Sequence, residues 1–422
     1  MRRVSCGRSV AIAIVLSLAL AACGGRPAGI LVPVEATVPG ASIVEMVVAT
    51  TRAPSTRLDM FSGDRGKTLS FAEIAVSIPP DGSRKIGDVQ WPKSVPGNPA
   101  TDFVTLRADN LTQSAALDWF NKRIKRTPRR QALVFIHGYN NRFEDAVFRF
   151  AQIVHDSRSP VTPILFTWPS RGSLLAYGYD RESASYSRDA LETLLTSLAK
   201  DPAVGEISIL AHSMGNWVTL EALRQMAIRN GRIAPKIRNV MLAAPDVDVD
   251  IFRTQYADFG TPKPNFTIFV SQDDRALQVS KQVWGSSFRL GQVNPEAEPF
   301  RTEFERDNIT VLDLTKLQTD DKLNHGKFAE SPEVVKMIGA RLAQGQTMTD
   351  GREGVGDRII QVTAGTATSI GTAAGVVLSA PVAVIDPSTR DNYGAQVESL
   401  TGHISSTAGS ATHLLTTPPK VE

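Results

Sequence analysis

Cysteine is nearly absent: the 422-residue chain has two, Cys6 and Cys23. Neither a paired-cysteine spacing nor an HExxH sequence occurs, so no zinc site of a common type is expected. Charge of one sign is also missing, because the formal net charge is only +3. That is too small for a nucleic-acid-binding surface, which needs a concentrated basic face. The one dense basic run, Lys122 to Arg130, reads as a solvated helix end and linker. Residues 359–385 carry no charge at all and are rich in Ala, Gly, Thr and Ser. What remains, 42% hydrophobic and 21% charged, is globular composition with enough chain for a large core.

The first residues are not expected to join the fold. Arg2, Arg3 and Arg8 form a positive region, and Val10 to Leu20 form an apolar run too short to span a bilayer comfortably. The sequence Leu20-Ala-Ala-Cys23 that ends it resembles the lipobox of bacterial lipoproteins. The resemblance implies a signal peptide over residues 1–22, a diacylglyceryl thioether on Cys23, and an exported, membrane-anchored protein of the bacterial envelope. Gly24 rather than aspartate follows, which favours the outer membrane, facing the periplasm. Removal of Cys6 with the signal leaves one cysteine and no disulfide, and acylation gives that lone thiol a use. Residues 23–42, rich in Gly, Pro and Ala, read as a tether.

Strands are expected at Ile43–Arg52, Ser70–Pro80 and Asp102–Ala108, and a helix at Ser114–Arg126. From Gln131 the pattern becomes regular. Apolar strands without alternation (ALVFIHG, PILFTWPS, EISILAHS, IRNVMLAAPD, NFTIFVSQDD, ITVLDL) are separated by helical segments. One of these has Phe143, Val147, Phe150, Ala151 and Val154 on a face, with Asn141 as its expected N-cap. Such a chain forms an α/β fold, a mostly parallel sheet with helices on both faces, and its chemistry sits at the carboxyl ends of the strands. A folded domain is expected over 43–344, with an N-terminal extension over 43–130 and a core over 131–344. Residues 345–422 form a tail, surface-docked or partly ordered, unless its uncharged stretch between Arg358 and Asp386, long enough to cross a bilayer, forms a spanning helix.

The stretch ISILAHSMGNWVTLEAL, residues 207–223, places Ser213 between a strand and a helix. That is the setting of a nucleophile elbow, in which the serine occupies a strained turn and the residues two before and two after it must be small. Gly215 meets this; Ala211 stands where glycine is usual and adds one methyl. A triad in the chain order serine, acid, histidine is completed by Asp274 and His325. Asp273, Asp246 and Asp248 remain open as the acid. His137 reads as structural, His155 as lying near a helix's solvent face, and His212 as pointing away from the site; His403 and His413 lie in the tail. The His137-Gly138 turn resembles that of α/β-hydrolases, which implies an oxyanion hole built from the N–H groups of Tyr139, or Asn140, and Met214.

Together LVFIHGYNN, FTWPSRG, YDRESASYSRDAL, ILAHSMGNW, LAAPDVD, SQDDRAL and NHGKF resemble the successive motifs of a bacterial branch of α/β-hydrolases. That branch belongs to the esterase/lipase superfamily and has no known function. The resemblance spans Ile43 to Leu342 and is dense from Leu133. It implies the α/β-hydrolase fold and a serine hydrolase, but no substrate. The expected protein therefore cleaves a small ester or lipid through an acyl-enzyme on Ser213, without cofactor or metal. The alternative is an envelope protein of hydrolase fold that binds without cutting. Residues 169–185, with Trp168, Tyr177 and Tyr179, are expected to wall the pocket. Ser62 to Thr68 resembles the end of a phosphate-binding loop, but Phe61 stands where glycine is required.

Overall fold

The computed structural model describes residues 28–35, 38–56, 58–283, 288–344 and 359–363. Residues 1–22, expected as a signal peptide, Cys23 and nearly all of the expected tail lie outside the described residues, as do residues 24–27, 36 and 37 of the expected tether.

Among the described residues ten strands form one sheet: β1 (Ser42–Pro54), β2 (Phe61–Ile78), β3 (Val104–Leu111), β4 (Gln131–Ile136), β5 (Thr162–Thr167), β6 (Glu206–His212), β7 (Ile237–Ala243), β8 (Asn265–Val270), β9 (Thr310–Asp313) and β10 (Ile359–Gln361). Their order is β10-β9-β8-β7-β6-β4-β5-β1-β2-β3. β1 pairs with β5 in parallel, as do β4 through β10 with their neighbours. β1, β2 and β3 form an antiparallel edge. β10 pairs in parallel with β9 at the opposite edge, and Val362 is buried beside it, so the sheet takes in residues of the segment expected to be tail.

Between the strands run α1 (Gln113–Ile124), α2 (Phe143–Ser157), α3 (Tyr177–Tyr186), α4 (Arg188–Lys200), α5 (Gly215–Asn230), α6 (Val249–Ala257), α7 (Arg275–Val283), α8 (Phe300–Arg306), α9 (Lys327–Glu330) and α10 (Pro332–Gln344). The unbroken apolar runs of the strands now have their reason. In β4, Ala132, Val134 and Ile136 enter one core with α1, α4 and α5, while Leu133 and Phe135 enter the other with α2 and α10. A strand buried on both faces cannot alternate with polar residues. Each large side chain so buried contributes about 2 kcal/mol.

Two local expectations need correction. The N-cap of α2 is Arg142, not Asn141: the Arg142 N–H donates to Asp145 at 2.9 Å, while Asn141 turns its side-chain amide to the Tyr139 carbonyl at 2.8 Å. Residues 169–185 are not mainly loop, since α3 begins at Tyr177. Its charged and aromatic residues mask a helix because only one narrow face, Asp180, Ser183 and Ala184, is buried. Ser62 to Thr68, where Phe61 already argued against a phosphate-binding loop, lies within β2.

Among the described residues no helix is long and apolar enough to cross a membrane.

Candidate active site

β6 delivers Ser213 to the carboxyl edge of the sheet, between β4 and β7. Ser213 has φ +52°, a left-handed conformation that a non-glycine residue adopts at a cost, and it is 4% exposed. Its amide donates to the Ala243 carbonyl at 2.9 Å, and its carbonyl accepts from Asn216. These bonds hold the strain. Gly215 is required by space: a Cβ there would lie 2.4 Å from the His137 carbonyl oxygen. The close approach brings the turn after β4 under the N-terminus of α5, whose positive end faces the serine. Gly138 is equally tight, since its Cβ would stand 2.9 Å from that of Ser213. Ala211 is fully buried in β6 and leaves the elbow intact.

Asp274 and His325 come together at the ends of β8 and β9. His325 Nδ1 lies 2.7 Å from Asp274 Oδ2, and Asp274 is fully buried. The other carboxylate oxygen of Asp274 accepts from the Leu277 N–H at 3.0 Å, which caps α7 and locks the group. The backbone N–H groups of His325 and Gly326 donate to Asp321, at 2.6 and 2.8 Å, and fix the histidine loop. Burial pulls the His325 pKa down, but the charge and hydrogen bond of Asp274 outweigh it, so the imidazole stands above its ordinary value.

Ser213 and His325 share one neighbourhood. The His212 ring lies 4.8 Å from that of His325, and its Nε2 lies 3.3 Å from the His325 carbonyl oxygen. Among the described residues no hydrogen bond joins Ser213 Oγ to His325 Nε2; such bonds are often long without substrate. The position of His212 corrects the expectation that it points away from the site: it stacks between His325 and Phe328, 4.5 Å from the latter. Burial and then the nearby His325 hold the His212 pKa well below its usual value, so it packs as a neutral ring.

The four aspartates are sorted by their partners. Asp273 accepts from Lys327 Nζ at 2.8 Å and from Asn324. Asp248 caps α6 through the Asp250 and Ile251 amides. Asp246 accepts from Tyr177 and Ser280, each at 2.6 Å. Only Asp274 among them bonds to His325.

The other flank of the serine is the turn after β4. Among the described residues neither the Tyr139 nor the Met214 amide donates to a protein acceptor, which leaves both N–H groups free for a ligand. The Asn140 amide, by contrast, faces Asp180 at 3.4 Å. His137 is structural. The Trp168 N–H donates to its Nε2 at 3.1 Å, and Nδ1 lies 2.8 Å from the Gly138 carbonyl. Burial, and next the Arg52 cation, drive its pKa to about 3.

Two residues that hold this turn were not legible as site residues. Arg52 is fully buried in β1 and donates to the Asn141, Ser170 and Ser62 carbonyls at 2.8, 2.9 and 3.2 Å. Burial lowers its pKa to about 10. Asp180 accepts from Ser170 Oγ at 2.5 Å and from the Arg171 amide at 3.0 Å. The signal for Asp180 was present in the YDRESAS motif; Arg52 sits in a strand that reads simply as apolar. The three aromatic residues expected to wall the pocket separate. Trp168 is buried and stacks on His137 at 4.9 Å, Tyr179 lies under Arg171 at 3.9 Å, and Tyr177 reaches the site, 5.0 Å from Tyr139. His155 bonds to Asp156 at 2.9 Å within an ion-pair cluster with Arg84.

A mostly parallel sheet, a strained serine between strand and helix, and an Asp–His pair past later strands define the class of α/β-hydrolases. The chain belongs to the family described as alpha/beta hydrolase of unknown function (DUF900), whose model matches residues 112–341. It is 21% identical over 327 residues to the uncharacterized protein alr1448 of Nostoc sp., covering 58% of this chain and 83% of that one. Among solved structures it is similar to the product of gene lin2722 of Listeria innocua, with a TM-score of 0.33 and 12% identity over 55% of this chain and 98% of that one. A lipase-esterase related protein of Clostridium acetobutylicum gives a TM-score of 0.24 at 12% identity, over 59% and 94%. The family match, not these structural likenesses, carries the assignment.

Proposed function

We propose that the protein is a serine hydrolase that cleaves carboxylic esters through an acyl-enzyme on Ser213. The observation that carries this reading is the 2.7 Å contact of His325 Nδ1 with buried Asp274, beside a left-handed serine at a strand–helix elbow. In this reading Ser213 Oγ attacks the ester carbonyl while His325 Nε2 takes its proton. Asp274 holds Nδ1–H and stabilises the imidazolium. The Tyr139 and Met214 amides receive the negative oxygen of the tetrahedral intermediate, and two such donors are worth a hundred-fold or more in rate. His325 then gives the proton to the leaving alcohol, and water repeats the sequence to release the acid. No group outside the chain is needed.

The test is labelling by a fluorophosphonate together with hydrolysis of p-nitrophenyl esters. Wild type is expected to label and turn over, and Ser213→Ala to do neither. A folded wild type that stays unlabelled sinks the reading and leaves the non-catalytic envelope protein.

The same reading places the enzyme on the bacterial envelope through a lipid on Cys23, supported by the Leu20-Ala-Ala-Cys23 sequence. Radiolabelled palmitate is expected to enter wild type and not Cys23→Ala in the native host. Equal incorporation rejects the anchor.

A further inference from the structure

Beside the nucleophile stands a buried cation without a use in the chemistry above. Arg289 is 5% exposed, yet among the described residues its guanidinium makes no hydrogen bond. Its Nε lies 3.4 Å from Asp246 Oδ1, near enough for charge attraction but not aligned for a bond. Asp246 is already engaged: Ser280 donates to Oδ1 and Tyr177 to Oδ2. The backbone that follows the arginine is pinned, because the Leu290 and Gly291 amides donate to the Val247 and Pro245 carbonyls at 2.8 and 3.0 Å. A second guanidinium, that of the half-buried Arg181, lies 3.4 Å above the Trp217 ring and is influenced by both Asp246 and Arg289. Asp246 and Glu221 are the carboxylates that act on Arg181, and Glu221 also sits 3.8 Å from Arg188 and accepts from Gln255.

This cluster belongs to the wall of the site. The Asp246 amide lies 3.3 Å from the Ser213 carbonyl, and Tyr177, which bonds to Asp246, packs against Tyr139 of the oxyanion turn. Burying the Nε donor of Arg289 without an acceptor is costly, and a ligand that brings oxygens to this guanidinium offsets that cost. The planar fork of arginine matches two oxygens of a carboxylate or phosphate. We propose that the substrate is an ester that carries a separate anionic group, bound by Arg289 with Arg181 beside it. This rests on Ser213 being the hydrolytic nucleophile. Arg289 is then a specificity-determining residue: it reads the part of the substrate that does not react.

The experiment compares kcat/KM for charged and neutral esters of similar size. One arm places the charge on the acyl side, mono-p-nitrophenyl succinate against p-nitrophenyl butyrate. The other places it on the alcohol side, 4-acetoxybenzoate against phenyl acetate. Wild type is expected to favour the anion by roughly 10- to 100-fold on at least one arm, the worth of a charged hydrogen-bonded pair. Arg289→Gln is expected to bring that ratio down to about one, and Arg289→Lys to fall between, since a point charge lacks the fork. A wild-type ratio of one or below on both arms overturns the proposal, as does an unchanged ratio in a folded Arg289→Gln. If the glutamine variant does not fold, the wild-type ratios and Arg289→Lys decide. Fluorophosphonate labelling separates the two readings: a labelled enzyme with flat ratios loses only the anion site, and an unlabelled one loses the hydrolase itself.

Discussion

A carboxylate and an imidazole 2.7 Å apart set the pH at which this site can work. The charge on Asp274 favours the protonated His325, so the histidine titrates above its ordinary value. A general base must be neutral, hence activity is lost as pH falls through that raised pKa. In Asp274→Asn the favouring charge is gone, and the acid limb of the kcat/KM profile is expected to move to lower pH. The rate at the plateau should drop by about 10⁴, the cost of misplacing the tautomer. A pH profile in which the variant keeps the wild-type acid limb denies Asp274 this role. Asp246 stayed open as an alternative to Asp274 in the sequence; its bonds to Tyr177 and Ser280 are invisible there because both partners come from other elements.

At the scale of the element, the elbow is two pieces of backbone pressed together. α5 can start where it does only because Gly215 lets it sit on the His137 carbonyl. Gly215→Ala forces that contact apart. The expected cost is about 1–3 kcal/mol, the range for overpacking, seen as a lower melting temperature. Fluorophosphonate labelling should slow by about a hundred-fold as Ser213 and the Tyr139 and Met214 amides lose register. Labelling at the wild-type rate removes this argument. The strand-to-helix pattern and the small residue at 215 were legible from residues 207–223. The reversed orientation of His212 was not, because the loop of His325 and the α9 residue Phe328 fold back onto the end of β6 from more than a hundred residues away.

For the whole molecule, the antiparallel edge is more than an attachment. The family match begins at residue 112, yet β1 supplies the buried Arg52 that ties the turn after β4 to the loop after β5. Arg52→Lys keeps the charge and loses the fork. The Asn141 and Ser170 carbonyls cannot both be reached by one ammonium, and each buried acceptor left unpaired costs on the order of 1–3 kcal/mol. Urea unfolding should show that loss, with reduced ester turnover, whereas Arg107→Lys at the exposed pair with Glu73 should change stability by less than about 1 kcal/mol. Equal stability for both variants contradicts the bracing role.

The sequence by itself determined the order of the strands from β1 to β9, the burial of the sheet on both faces and the position of the serine at an elbow, but not the helix at Tyr177–Tyr186 or β10. Those are local properties: hydrophobic periodicity, small residues flanking a turn, and motifs in order along the chain. Only the tertiary structure decided which aspartate meets His325, that His212 packs against it, and that Arg52 and Arg289 are buried beside the site. Each of these depends on side chains brought together from distant segments, and a charged residue inside an apolar run shows its burial only when its partners are in place.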